Sequence, residues 1–137
     1  MKSKSKSNET AVREVLKQWA AATREDRKDH VLRGHDRNAL IFDVLAPLQY
    51  KGTAAYRKSW GDWQPTFELP SLYELKELRV LAGTELAFAH CLIRCGGKPL
   101  KGKFFEDLVR ATFCLKKKAG KWLIVHQHIS MPIVKKK

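Results

Sequence analysis

One acid interrupts an otherwise apolar run, Ala39-Leu40-Ile41-Phe42-Asp43-Val44-Leu45. A carboxylate among such neighbours is poorly hydrated, which strengthens it as a proton acceptor. Asp43 is therefore the first candidate for general-base chemistry. Its ordinary alternative is an acid that bonds the hairpin near Pro47, or one that faces water. Other polar residues recur at the two-residue spacing of strands, where alternate side chains share a face. Arg110, Thr112 and Cys114 form one such set. Trp122, Ile124, His126, His128 and Ser130 form another, and Phe88 and His90 a third. Imidazoles that titrate near neutral pH and a forked guanidinium suit acid–base work, or the holding of an anionic or carbonyl ligand. Each also has a plainer role: strand histidines are more often structural, and Arg110 has Glu106 and Asp107 close by to pair with.

His126-x-His128 puts two imidazoles on one strand face, to which Asp43 or His90 could add metal ligands. No paired Cys-x-x-Cys knuckle accompanies them, so no metal is expected. No glycine-rich phosphate loop is present and no cofactor is implied. Cys91, Cys95 and Cys114 lie mid-strand, where thiols are usually buried and inert. Tyr56, Trp60 and Trp63 stand at i, i+4 and i+7, one face of a helix. That face reads first as core and second as a lid over a planar apolar ligand.

The surrounding chain must position these residues. Its 137 residues are 44% hydrophobic and 30% charged, which suits one packed domain. No stretch approaches the roughly 20 apolar residues of a membrane span. The basic start, Met1 to Ser7, has no apolar run behind it, so no secretory signal is expected. With three cysteines, an odd number, reduced thiols in a cytoplasmic protein are the simplest expectation. The formal net charge is +13, but six of the lysines lie at the two ends: Lys2, Lys4, Lys6, Lys135, Lys136 and Lys137. Such basicity attracts anions, nucleic acid among them. No nucleic-acid-binding motif is present, so solvated tails are preferred and no specific nucleic-acid partner is expected.

Residues 1–8 and 133–137 read as basic tails, the first of them disordered, around a body at 9–132. Val12, Val15, Leu16 and Trp19 mark a helix that Asn8 or Thr10 could cap. Asp26 could cap a second, short one carrying Val31 and Leu32. Residues 39–45 read as a strand, with a short return at Leu48-Gln49-Tyr50. Gly52-Thr53 opens a third helix that Pro65 stops. Four strands follow at about 72–82, 85–95, 103–117 and 122–131, with a hairpin turn at Lys118-Ala119-Gly120-Lys121. This order predicts an α+β class with a mostly antiparallel sheet.

The same order and several short motifs resemble the nuclear transport factor 2-like superfamily, in its ketosteroid isomerase-related and SnoaL-like cyclase branch. The resembling stretches are Gln18-Trp19-Ala20-Ala21-Ala22, Ala39 to Asp43, and Gly52-Thr53-Ala54-Ala55-Tyr56-Arg57. Leu86 to His90, Gly120-Lys121-Trp122-Leu123-Ile124 and His126-Gln127-His128-Ile129-Ser130 complete them. Together they span most of residues 9–132. The resemblance implies a cone-shaped fold, three N-terminal helices packed on a curved sheet, and Asp43 at the position of the isomerase's general base. It also puts Trp19 where the isomerase has a tyrosine, and Ala111 or Thr112 where it has a protonated aspartic acid. With those donors missing, steroid isomerisation itself is not expected.

Phe88 beside His90 suggests that their face looks into the cone. The expected site is then Asp43 as base, with His90, Arg110 and His128 as catalytic helpers. Trp19, Tyr56, Trp60, Trp63, Phe88, Thr112, His126 and Ser130 would bind the ligand. The function expected is binding of a small apolar or carbonyl-containing molecule, with proton transfer as an isomerase, cyclase or dehydratase. A non-catalytic ligand- or protein-binding module is the alternative. Apolar strand residues such as Val109, Ala111, Phe113, Leu123, Val125 and Ile129 exceed what three short helices cover, which predicts a homodimer through the sheet.

Overall fold

The computed structural model describes residues 7–63 and 67–135, apart from the side chains of residues 61–63. The first six residues of the expected N-terminal tail, the last two lysines, Pro65 and the side chain of Trp63 thus lie outside the described residues.

Helix α1 (Asn8–Arg24) begins where Ser7 Oγ accepts a hydrogen bond from the Thr10 amide at 3.1 Å. Ser7 is the cap, where Asn8 or Thr10 had been expected; it satisfies an N–H that the first turn leaves without a partner. Val12, Leu16, Trp19 and Ala20 form its buried stripe, at the three- and four-residue spacing of an amphipathic helix. Helix α2 (Lys28–Val31) is one turn, and Asp26 does not cap it; its carboxylate pairs instead with Lys28 Nζ at 2.7 Å.

Strand β1 (His35–Phe42) starts and ends earlier than the apolar run suggests, leaving Asp43 just past its end. The return strand β2 is only Tyr50–Lys51. Helix α3 (Thr53–Trp63) follows, so the helices do not form one N-terminal group of three. The physical reason lies in local signals. Only four residues between α1 and β1 are helical, and the Gly52-Thr53 start signal comes after the hairpin.

The long strands are β3 (Leu72–Ala82), β4 (Leu86–Gly97), β5 (Phe105–Lys118) and β6 (Lys121–Ser130). The turn between β5 and β6 sets Ala119 and Gly120 at φ 49° and 79°, both left-handed as a two-residue primed turn requires. One six-stranded mixed sheet results, in the order β2-β1-β6-β5-β4-β3. Only β1 and β6 run parallel; the other pairings are antiparallel.

Three irregularities reset the faces of the sheet, the first of them in β1 between His35 and Leu40. In β3 the register shifts between Lys76 and Arg79, where Glu77 has φ 53°. In β6, Ile124 pairs with Leu115 but His126 pairs with Cys114, so Val125 is the extra residue of a bulge. A bulge adds one residue and reverses the alternation beyond it. Trp122 and Ile124 therefore share a face with Gln127 and Ile129, and not with His126, His128 and Ser130 as strict alternation predicts. The covered face carries Ala87, Ala89, Cys91, Ile93, Val109, Ala111, Phe113 and Leu115, all buried in the core with α1.

Candidate functional site

The register brings one set of strand ends together. Tyr73 near the start of β3 pairs with Cys95 near the end of β4, which in turn pairs with Asp107 of β5. Ile129 at the end of β6 pairs with Ala111, and Phe42 at the end of β1 with His128. α1 fills the other end of the covered face with Val12 and Leu16. At this end it presents Trp19 and Thr23, while α3 lies over β1 and β2. The space between them is a cavity of about 660 Å³.

Asp43 stands on its wall, placed there by the end of β1. The Tyr56 hydroxyl donates to Asp43 Oδ2 at 2.7 Å, and the Val44 amide donates to Oδ1 at 2.8 Å. Tyr56 comes from the first turns of α3, and its ring meets Tyr50 at 5.0 Å and Trp60 at 5.3 Å between centroids. Burial above all, and then the Asp43 carboxylate, hold the Tyr56 phenol well above its ordinary value, so it stays a donor.

Trp19 borders the opposite side. Its ring packs edge-on against Tyr73 at 5.4 Å and Phe113 at 5.1 Å. Tyr73 is also held protonated, first by burial and then by Cys95 and Asp43. Its hydroxyl has no hydrogen-bond partner among the described residues. The strand start that carries Tyr73 is tied down by α1: Arg24 Nη1 donates to the Tyr73 carbonyl at 2.7 Å, and the Ser71 amide to the Arg24 carbonyl at 2.9 Å. At the cavity's edge Lys28 is paired with Asp26. Cys95 also lines the space, with its thiol pushed up by burial. Burial pushes the Cys91 thiol up to about 11, which leaves it no thiolate for nucleophilic work near neutral pH.

A SnoaL-like domain model matches residues 12–134, nearly the whole chain. The chain belongs to the SnoaL-like domain family. Among solved structures, the SnoaL-like chain is similar to an NTF2-like protein of unknown function from Pseudomonas putida KT2440. The two are 29% identical over 92% of this chain and 87% of that one, with a TM-score of 0.78. A ketosteroid isomerase-like protein from Erwinia carotovora atroseptica SCRI1043 is 16% identical over 93% of this chain and all of its own, with a TM-score of 0.76. The association domain of C. elegans CaMKII is 16% identical over 89% of this chain and 94% of its own, with a TM-score of 0.71. The last two likenesses show the fold alone, which is nuclear transport factor 2-like. No curated protein matches the sequence.

The residues singled out in the sequence divide between two places. Trp19, Asp43, Tyr56 and Trp60 border the cavity of the SnoaL-like chain. Phe88, His90, Arg110, Thr112, His126, His128 and Ser130 do not. They lie on the opposite face of the sheet, because their neighbours Ala87, Ala89, Val109, Ala111, Phe113, Gln127 and Ile129 take the covered one. The expectation that Phe88 and His90 look into the cone is thereby corrected; the small and apolar partners in the alternation are the ones that fit against α1. On the open face, Arg110 Nε donates to Ser130 Oγ at 3.0 Å, and Glu106 is held by Arg94 at 2.8 Å. His126 Nδ1 meets the Leu40 carbonyl at 2.8 Å, and Phe42 packs edge-on against His126 and His128. Among the described residues, no three His, Cys, Asp or Glu side chains are grouped to hold a metal.

Tyr50 and Tyr73 were missed by sequence reasoning. Tyr73 had a weak signal, as an aromatic residue alternating with Leu75 at a strand start. Tyr50 had none, because β2 is two residues long.

Proposed function

We propose that the cavity binds a small, mostly apolar molecule and that Asp43 takes a proton from it, in an isomerase-, cyclase- or dehydratase-type reaction. The observation that carries this reading is Asp43 itself. It is a carboxylate on the wall of an aromatic cavity, held by two donors and paired with no cation among the described residues. An anion so placed keeps a free lone pair for a ligand, and its hydrogen bonds fix its direction. Charge that develops on a ligand oxygen would find the Tyr73 hydroxyl and the Trp19 indole N–H, both better placed than Ala111 or Thr112. His90, Arg110 and His128, expected as helpers, have no part in it, since they lie across the sheet.

The test uses whatever molecule a metabolite pull-down with native mass spectrometry returns. Asp43→Asn should abolish its turnover and keep its binding, because the amide has the same shape and no basic oxygen. Full turnover by a folded Asp43→Asn protein would leave the non-catalytic binding module as the better reading. One observation favours that second reading: both Asp43 oxygens already accept hydrogen bonds, as a structural acid's would.

We further propose a homodimer through the open face of the sheet. Val109, Ala111, Phe113 and Ile129, which suggested it, are buried within the chain, while Leu81, Leu86, Phe88 and Leu108 are exposed. An exposed apolar set of this kind marks an interaction surface. Sedimentation at micromolar concentration that finds only monomer would refute it.

A further inference from the structure

We propose that the cavity selects an organic cation: a primary to quaternary ammonium on an apolar body, its nitrogen beside Asp43 and among the surrounding rings. This rests on reading the cavity as a ligand site, and it concerns what the site holds, whether or not Asp43 then moves a proton.

Charge is the first ground. Among the described residues, Asp26, Lys28 and Asp43 are the charged side chains on the wall, and Asp26 and Lys28 pair with each other at 2.7 Å. Among these, Asp43 is left as the uncompensated charge, in a chain whose formal charge is +13. Its two donors, Tyr56 and the Val44 amide, hold the carboxylate in place without cancelling it. Filling the cavity with a neutral molecule would strip water from that anion and return nothing of equal strength. An anionic molecule would add repulsion. A cation offsets the desolvation and forms a charge-assisted hydrogen bond if it carries N–H.

The rings are the second ground. Trp19, Tyr50, Tyr56, Trp60 and Tyr73 all border the space. Aromatic faces attract cations through their quadrupole, most strongly where water is excluded. Trp60 already attracts one cation, with the Arg57 guanidinium carbon 5.4 Å from its ring centre. The Tyr73 hydroxyl, without a partner among the described residues, adds an acceptor for an N–H donor. A space of about 660 Å³ suits a small-molecule ligand.

The experiment compares three probes of one shape: 3-phenylpropylamine, 3-phenylpropanol and 3-phenylpropanoate. Binding to the full chain is followed by calorimetry and by tryptophan fluorescence at neutral pH. The amine should bind about tenfold or more tightly than the alcohol, and the carboxylate weakest. Asp43→Asn should remove the amine's advantage, with the fold checked by circular dichroism. Tyr50→Leu, which leaves Asp43 intact at the edge of the site, should reduce it and serves if Asp43→Asn does not fold. An alcohol that binds as well as the amine would overturn the inference and leave the ligand-site reading standing. So would an amine preference unchanged in either folded variant. Failure of all three probes to bind at millimolar concentration would overturn both.

Discussion

The two faces of the one sheet are built from the same strands and carry opposite characters. On β5, Val109, Ala111, Phe113 and Leu115 are buried, while the alternating Arg110, Thr112 and Lys116 are exposed and Cys114 is half-buried. Phe113 is fully buried and Phe88, on the neighbouring strand, is 46% exposed. An aromatic side chain thus does not tell which face looks inward. The covered face is the one whose residues leave room for a helix, and the cavity is what remains where α1 and α3 do not meet over it. The open face collects more of the residues conventionally linked with catalysis, and none of them reaches the cavity.

The comparison breaks most sharply under truncation. Phe113→Ala should cost about 3–5 kcal/mol by leaving a hole against Trp19, whereas Phe88→Ala in the monomer should cost well under that. Urea denaturation of both variants measures the difference, and equal losses would mean that the faces have been assigned wrongly. If the open face is a dimer interface, Phe88→Lys should shift sedimentation toward monomer while the secondary structure by circular dichroism stays unchanged.

A smaller effect separates the faces by pH. His35 and Gln127 are buried on the covered side, where His35 Nε2 meets Gln127 Oε1 at 2.7 Å. His35 Nδ1 and Gln127 Nε2 have no partner among the described residues. Burial lowers the His35 pKa from its ordinary 6.5, and the Gln127 bond opposes this in part. The unfolded chain therefore binds more protons between that lowered value and about 6.5. Stability should rise with pH across this window and be complete above it. Replacing both residues, His35→Leu with Gln127→Leu, should flatten this part of the profile at little cost, since both polar partners leave together. A profile that keeps its slope in the double variant would exclude His35 as the source. The smallest effect belongs to His90→Ala on the open face, within about 0.5 kcal/mol and without change in ligand binding.

Much of this was legible along the chain because it is local. The stripe Val12, Leu16 and Trp19, the Gly52-Thr53 helix start, strand β3 at residues 72–82 and the turn at Ala119-Gly120 each depend on neighbours a few residues away. Asp43 could be picked out because an acid inside an apolar run is a departure from a local pattern. Tyr56 and Trp60 followed from helical spacing, and Trp19 as a site residue from the family resemblance. The error on His126, His128 and Ser130 came from one added residue at Val125, which no periodicity announces. The error on Phe88 and His90 came from judging a face by one aromatic ring.

Periodicity and turn residues by themselves determined most of the elements and their order, because short-range sterics and the spacing of apolar residues act within each segment; the family likeness came from the resemblance of short motifs. Which face of the sheet was covered, and that Asp43 meets Tyr56 with Tyr73 nearby, were decided only by tertiary structure. Those contacts depend on strand register, on its three irregularities and on where α1 comes to rest. Each is settled by packing between residues distant in the chain, since the same alternation fits either face until a helix occupies one of them.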